Sequence, residues 1–273
     1  MANSINKLID DKIIKRGKTG LLIRLDDIHV QEGFNKRIDD DRTQAADDDL
    51  FNHLLQGKPV PPLEVRPRDD GGVWIVEGHR RHRAYLRCRD AGKPVEWIAI
   101  LPFTGSDVER IARIMNSNSQ LSLTPYEQSR VVKELAGFNL PPDEIAALVG
   151  KSRTTVDKLL ALSQTNHDVQ TLVKDGSVAV DAALERVKVH GESAGKVLAN
   201  DVEKARVQGK KKVTKSVISR EFSAKKARRL CELLYDAAPM TREEGDVLLL
   251  AKGTREEINS ILNEYRQLDG EAK

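Results

Sequence analysis

The sequence predicts an α+β N-terminal domain, then an all-α domain that contains a helix-turn-helix, and a helical C-terminal region. Three observations predict this order. Short apolar runs bounded by glycine and proline, which are typical of strands, are confined to residues 21–101. From Asp107 onward, every long segment places apolar residues at helical spacing and no strand pattern returns. Residues 143–162 form two such segments around a glycine, which is the arrangement of a helix-turn-helix.

The predicted N-terminal domain covers residues 21–103 and follows a polar, flexible segment of residues 1–20. The aspartates at 47–49 precede apolar residues at helical spacing, so we expect them in a first helical turn, where negative charge suits the dipole. The segment Asp69-Asp70-Gly71-Gly72 predicts a hairpin turn, because glycine tolerates the positive φ of tight turns. The predicted elements are strands at 21–25, 63–68, 73–77 and 95–101, and two helices that end at Gly57 and Gly92.

The rest of the chain divides into a helical domain at residues 104–220, which contains the helix-turn-helix, and a C-terminal region at residues 221–273. Apolar residues of the C-terminal region recur at helical spacing and predict two to three helices. The region is more apolar than a solvated tail requires. Two interpretations follow, which are self-association as a dimerisation domain and packing within the chain.

The net charge is only +3, from 45 basic and 42 acidic side chains, but it is unevenly distributed. Residues 163–230 carry 15 basic and 8 acidic side chains, whereas residues 231–273 carry 5 and 10. Such a basic segment indicates a polyanion partner. The sequence has no run of about 18 apolar residues and no apolar secretory segment, so we expect a cytoplasmic protein without a membrane partner. Cys88 and Cys231 lack the spacing of a metal site.

The segment at residues 143–162 predicts DNA binding. Ala146 is small, as two closely crossing helices require, and Gly150 permits the sharp turn between them. Ser152 is a good N-cap for the second helix, and the N-terminal part of that helix enters the major groove in helix-turn-helix proteins. The predicted DNA-binding residues are Lys151, Ser152, Arg153, Thr154, Thr155 and Lys158.

These residue types have different expected partners on DNA. Arg153 is expected to reach guanine O6 and N7, and Thr154 a base edge or a phosphate. Lys151 and Lys158 are better placed for phosphates. The alternative interpretation of the segment is an αα-hairpin with a charged, solvated face.

A glycine and three arginines begin the helix that precedes Gly92. Gly78 follows a strand directly, and Arg80, Arg81 and Arg83 come next. A helix N-terminus offers unpaired N–H groups and a positive dipole, which suit a phosphate. Cations in the first turn oppose that dipole, so an anion would explain them better than local stability does. The alternative is a solvated basic face with His79 and His82 as surface residues.

The order of these features resembles the ParB-type chromosome and plasmid partition proteins. Residues 50–100 follow the family pattern, which includes a strand ending in G-[EH]-R-R-x-R-A, a helix ending in A-G and a last strand. Residues 34–37 (FNKR) resemble a weakened N-P-x-Q-x-R box, and residues 116–127 resemble a third box, an asparagine followed by L-[ST]-P-x-E. The helix-turn-helix comes next, and the resemblance covers residues 21–220.

The resemblance implies a ParB/sulfiredoxin-like fold for the N-terminal domain, which in this family binds CTP with Mg²⁺ and closes dimers into a clamp on DNA. It implies double-stranded DNA, a second copy of the chain and a ParA-type ATPase as partners, and a place on the nucleoid or on a plasmid. The residues that it places at the nucleotide are Arg37, Gly78, His79, Arg80, Arg81, Asn116 and Asn118, of which Asn116 or Asn118 would bind Mg²⁺.

Departures from the family pattern leave the chemistry open. Met115 or Ser117 stands where the family has a glutamate, and neither side chain is a good metal ligand. His79 replaces the usual glutamate after Gly78, so we expect nucleotide binding with at most weak CTPase activity. The expected function is partition of a plasmid, phage or chromosome. The alternatives are a ParB-related transcriptional repressor without clamp activity, and a nucleotide-dependent enzyme, a kinase or a nuclease, on the same fold.

Overall fold

A computed structural model of the chain describes residues 4–18, 20–116, 121–218, 224–235, 237–242 and 245–270. The chain forms two compact units, Met1–Lys212 and Val213–Lys273. The helices of the first unit are α1 (Ile5–Asp10), α2 (Asp41–Leu55), α3 (His79–Asp90), α4 (Asp107–Asn116), α5 (Pro125–Ala136), α6 (Pro142–Val149), α7 (Arg153–Ser163), α8 (His167–Lys174), α9 (Val180–His190) and α10 (Ala194–Val207). Its strands are β1 (Ile14–Gly17), β2 (Gly20–Arg24), β3 (Ile28–His29), β4 (Leu63–Pro67), β5 (Val73–Glu77) and β6 (Trp97–Pro102).

The six strands form one mixed sheet in the order β1-β2-β6-β4-β5-β3. The pairs β6–β4 and β5–β3 are parallel, and the other neighbours are antiparallel. Leu63 and Val65 of β4 lie on the buried face with Ile98 and Ile100 of β6, as the two-residue period of a strand requires. The predicted hairpin between β4 and β5 is confirmed, and its Gly71 has a φ of 95°.

Two expectations for the N-terminal region are wrong. Residues 1–20 were expected to be flexible, but α1 and β1 lie there, and Leu8 and Ile14 are buried in the core of the sheet. These elements are too short for a hydrophobic period to reveal them. The helix expected to begin at residue 47 begins at Asp41 instead, because Asp40 caps it and accepts a hydrogen bond from the Thr43 N–H (2.8 Å). The aspartates at 47–49 therefore lie in the middle of α2.

A second core joins α4, α5, α6 and α7. Its fully buried members include Val131 and Leu135 of α5, Ile145 of α6 and Val156 of α7. Phe34, from the loop after β3, inserts into the same core although it is far away in sequence. The predicted boundary at residues 103–104 falls between β6 and α4, inside the first unit.

Glu127 is a fully buried carboxylate at the start of α5. Its Oε2 accepts the Thr124 N–H (2.6 Å), and the Thr124 hydroxyl accepts the Glu127 N–H, which makes a capping box. Its Oε1 accepts the Ile38 N–H (2.7 Å), and Arg42 of α2 approaches Oε2 at 3.4 Å. Glu127 thus links α5 to the loop before α2 and to α2 itself.

The second unit contains α11 (Lys215–Ile218), α12 (Ala224–Tyr235), β7 (Ala238–Arg242), β8 (Gly245–Leu249) and α13 (Thr254–Gly270). The strands pair as an antiparallel hairpin, so the expectation of an entirely helical region after Asp107 is wrong. A four-residue apolar run at 247–250 does not distinguish a strand from a helix. Arg229 of α12 donates two hydrogen bonds to Glu257 of α13 (2.8 and 3.0 Å). The predicted boundary at residues 220–221 lies outside the described residues.

Within the described parts of the chain, no helix is both long and apolar enough to cross a membrane.

We predict that Glu127→Gln lowers the free energy of unfolding by about 2–4 kcal/mol, because an amide N–H₂ would face an N–H donor in a buried site. Urea denaturation followed by circular dichroism measures this loss. Glu203→Gln is the control, since Glu203 is exposed and its ion pair with Arg206 is long, at 3.9 Å. This substitution should change the free energy of unfolding by less than about 0.5 kcal/mol. Equal losses in the two variants would contradict the role assigned to Glu127.

Candidate functional site

A cleft of about 780 Å³ opens where β5 meets α3. Residues from α2, from the proline-rich turn before β4 and from α4 contribute its other walls. Its charged lining residues are Arg37, Asp49, Glu64, Glu77, Arg80, Arg81 and Arg113. The volume lies within the range of roughly 300–1,000 Å³ typical of small-molecule sites.

The corner between β5 and α3 requires a glycine. Gly78 has a φ of 108° and caps α3, and a Cβ at this position would lie 2.5 Å from Leu63 Cδ2. Gly78, His79, Arg80 and Arg81 all line the cleft, so the positive end of the α3 dipole lies there. This arrangement suits an anionic ligand.

Carboxylates hold Arg80 and Arg81 of the cleft. Arg80 donates to Asp47 Oδ1 (2.6 Å) and to the Ala46 carbonyl (2.6 Å). Arg81 donates to Glu77 and to the Pro61 carbonyl (2.7 Å).

These pairs revise the interpretation of the arginines at the start of α3. Asp47 also pairs with Arg83 (2.6 Å), so acids on α2 and β5 already offset the opposed dipole without an anion. An anion entering the cleft would exchange with these carboxylates.

The two histidines of α3 are not surface residues. Only 6% of His82 is exposed, and neither of its ring nitrogens has a hydrogen-bond partner among the described residues. The His79 ring packs against Phe34, with ring centroids 5.8 Å apart. Burial, followed by the charge of Arg83, lowers the pKa of His79 to about 4. Burial, followed by His29, lowers the pKa of His82 to about 4.

The structure brings most of the predicted nucleotide residues together. The residues of that set that line the cleft are Arg37, Gly78, His79, Arg80 and Arg81. Asn116 does not join them, because its side-chain amide donates to the Leu148 carbonyl of α6 (2.7 Å). Asn118 lies outside the described residues.

The implied Mg²⁺ site is therefore not formed by Asn116 as it stands. Among the described residues, no group of three or more His, Cys, Asp or Glu side chains could hold a metal ion.

Sequence reasoning missed several residues of the cleft. Arg113 of α4 donates to Glu64 of β4 (Nε to Oε2, 2.8 Å), and both line the cleft. These two residues are 49 positions apart, so no local pattern could have paired them. Asn35 also lines the cleft, and it was already part of the motif at residues 34–37.

A second candidate site is the helix-turn-helix of α6 and α7, which confirms the predicted elements. Gly150 has φ 63° and ψ 37° and makes the turn. The Ser152 hydroxyl accepts the Thr155 N–H (3.2 Å) and caps α7. Val156 and Leu159 are buried against the helical core. The predicted DNA-binding residues are exposed at Lys151, Ser152, Arg153, Thr154 and Lys158, and half-buried at Thr155.

Two of these cations have acidic neighbours. Arg153 pairs with Asp143 (2.5 Å) and with Asp157 (3.0 Å). Lys158 pairs with Asp181 of α9 (2.6 Å). All of these side chains are about half-exposed or more, so water screens the pairs and they add little to stability.

The helical region of the chain matches a known domain. The ParB HTH domain family matches residues 122–210, which contain α5 to α10. The similarity to ParB proteins is thus shown for the helix-turn-helix region of the chain. The matched region contains the six predicted DNA-binding residues, whereas the residues around Gly78 lie upstream of it.

Individual ParB proteins show the extent of the similarity. The chain is 30% identical over 154 residues to a probable chromosome-partitioning protein ParB of Vibrio cholerae, or 56% of this chain and 51% of that protein. A probable chromosome-partitioning protein ParB of Chlamydia muridarum is 26% identical over 192 residues, or 67% of this chain and 65% of that protein. The chain thus spans between half and two thirds of the length of these curated relatives.

A similar solved structure is the C-terminally truncated ParB of Caulobacter crescentus complexed to the centromeric parS site. Its sequence is 22% identical, and the match covers 69% of this chain and 92% of that chain with a TM-score of 0.47.

We predict that acid destabilises the protein through His79. Its folded pKa of about 4 lies below the ordinary value of 6.5, so the unfolded chain binds the proton more tightly and stability falls as the pH drops from 6.5 towards 4. At roughly 1.4 kcal/mol per pKa unit, a shift from 6.5 to about 4 corresponds to a loss on the order of 3 kcal/mol.

Urea unfolding at a series of pH values measures this effect. His79→Gln cannot take up the proton, so the stability of the original protein minus that of the variant should be constant above pH 7 and should decrease towards pH 4. Parallel curves over the whole range would show that His79 is not the group responsible.

Proposed function

We propose that the chain is a sequence-specific DNA-binding protein that acts in the partition of a plasmid, phage or chromosome. The observation that carries the proposal is the exposed N-terminal face of α7 within the matched ParB HTH domain. Arg153 and Thr154 stand on that face, while Val156 and Leu159 anchor the helix from the opposite side. A recognition helix needs one buried face, which fixes it to the protein, and one exposed face, which can enter the major groove.

The charge distribution supports the same proposal. Lys151 is exposed in the turn beside α7, where it would reach a phosphate. The exposed lysines at 210–212 follow α10 in the most basic part of the chain. Such residues bind the DNA backbone without sequence preference and make the affinity depend on salt.

We further propose that the cleft at Gly78 binds a nucleotide, and by the family resemblance that it is CTP. The cleft has room for a nucleotide, and Arg80, Arg81 and Arg37 would replace their present partners with phosphate oxygens. The proline-rich turn and Leu50 offer an apolar wall on the side of α2. His79 stays neutral at pH 7 because its pKa is about 4, so it would contribute a ring rather than a charge.

α4 offers a route by which the nucleotide would influence DNA binding. Arg113, near its C-terminal end, lines the cleft, and Asn116, one turn later, holds the Leu148 carbonyl of α6. A nucleotide that displaced Arg113 from Glu64 would therefore act on the helix next to α7. This supports a nucleotide-responsive clamp in place of a simple repressor.

The proposed assembly is a homodimer with a ParA-type ATPase as partner. The second unit exposes apolar side chains on α12 and β8, at Tyr235 (87% exposed), Leu248 (58%) and Leu249 (45%). A second copy of the unit would cover such residues. The proposed regions remain residues 104–220 and 221–273, whereas the N-terminal domain, proposed to end at residue 103, also includes α1 and β1. The protein is proposed to be cytoplasmic and bound to the nucleoid or to a plasmid.

For DNA binding, we predict that selection from random DNA enriches an inverted repeat, as a two-fold dimer requires. Arg153→Ala should lose about 1–3 kcal/mol of preference for the base that Arg153 contacts, measured by fluorescence anisotropy on the enriched site and on single-base variants. Lys7→Ala, on α1, is the control for the loss of one positive charge. If the selection enriches no sequence, the proposal is wrong.

For nucleotide binding, we predict that calorimetric titration detects binding of CTP to the protein, both with and without Mg²⁺. Arg80→Ala should weaken binding by about 1.5–3 kcal/mol, the value of a hydrogen bond to a charged group. Arg89→Ala is the matched control, because Arg89 lies on α3 outside the cleft and pairs with Asp26. Unchanged affinity in Arg80→Ala would exclude the cleft as the site.

The same titrations discriminate the other functions. A DNA residence time that CTP does not change would favour the repressor. Turnover of CTP, ATP, serine or DNA that disappears in Arg80→Ala would favour the enzyme.

A further inference from the structure

Two carboxylates on different helices grip the guanidinium of Arg153. Its Nε lies 3.0 Å from both Oδ1 and Oδ2 of Asp157, one turn further along α7. Its Nη1 lies 2.5 Å from Oδ2 of Asp143, in the first turn of α6. The guanidinium is therefore held from the side by α7 and from one end by α6.

The guanidinium keeps donors for a further partner. Among the described residues, no hydrogen bond uses Nη2 of Arg153, and Nη1 carries a second hydrogen besides the one directed at Asp143. Both N–H groups of Nη2 and one of Nη1 therefore remain for DNA. Arginine uses paired donors of this kind to bind the O6 and N7 of guanine.

We propose that Asp143 and Asp157 are positioning residues that fix Arg153 for reading a guanine. The inference rests on the proposed function of α7 in DNA recognition. An unrestrained arginine has several rotatable bonds and reaches phosphates as readily as bases. Pairing of Nε and Nη1 with the two carboxylates favours one orientation of the guanidinium, so that binding to guanine requires less further ordering.

Charge gives a second reason to connect these acids with specificity. Both aspartates are exposed, and they lie on the face that would approach the DNA backbone, where a negative charge repels phosphates. They contribute no apolar contact to the helical core, which is formed by other residues of α6 and α7. Their expected effect is to lower affinity for all DNA while raising the preference for one base.

The experiment compares cognate and non-cognate DNA. The site enriched by the original protein identifies the guanine at which Arg153→Ala loses its preference. Asp157→Asn and Asp143→Asn are then measured on that site, on the site with this guanine replaced, and on unrelated DNA. Glu144→Gln is the matched control, because Glu144 is an exposed acid next to Asp143 and makes no contact with Arg153.

We expect Asp157→Asn to reduce the preference for this guanine by roughly 10-fold and to bind unrelated DNA several-fold more tightly. Glu144→Gln should also bind unrelated DNA more tightly but keep its preference for the guanine. Thermal unfolding of each variant shows that the fold is retained.

Three outcomes overturn the inference. Unchanged preference in both asparagine variants would show that the carboxylates do not position Arg153. An equal loss of preference in Glu144→Gln would show an effect of net charge only. These two outcomes leave the proposed function intact. The third outcome is that the original protein enriches no sequence, in which case the proposed function fails and the inference fails with it.

Discussion

The buried carboxylate of Glu127 is the constraint on which the rest of the first unit depends. A charge without exposure to water must have hydrogen-bond donors around it, and here Thr124, Ile38 and Arg42 supply them. These donors come from the start of α5, from the loop before α2 and from α2. One carboxylate therefore fixes where α5 begins and holds the N-terminal loop against the helical region.

The loop before α2 connects the cleft to the helical core that contains the helix-turn-helix. Phe34 enters the core of α4 to α7, and Arg110 of α4 lies over its ring at 4.3 Å. Arg37, three residues after Phe34, lines the cleft. α4 makes the same connection in the other direction, since Arg113 reaches the cleft and Asn116 reaches α6. A ligand in the cleft would thus act on elements that pack directly against the helix-turn-helix.

Carboxylates hold the important arginines in both candidate sites. In the cleft, Asp47 and Glu77 hold Arg80 and Arg81, and on α7 two aspartates hold Arg153. Such pairs prevent the guanidinium groups from collapsing onto other surfaces when no ligand is present. A phosphate in the cleft would then exchange with these carboxylates, whereas a base would bind the remaining donors of Arg153. In both cases the arginine is already oriented, which reduces the entropy lost on binding.

The sequence by itself determined the elements whose signals are local. The hairpin at Gly71, the corner at Gly78 and the turn at Gly150 need backbone conformations that glycine adopts readily, and the predicted cleft arginines follow from the corner. Only the tertiary structure decided the burial of His82 and the strands β1, β7 and β8. The same holds for the pair of Arg113 with Glu64 and for the hydrogen bond from Asn116 to α6. The physical reason is that a local signal depends on the backbone within a few residues, whereas burial and pairing depend on which distant segments the core brings together.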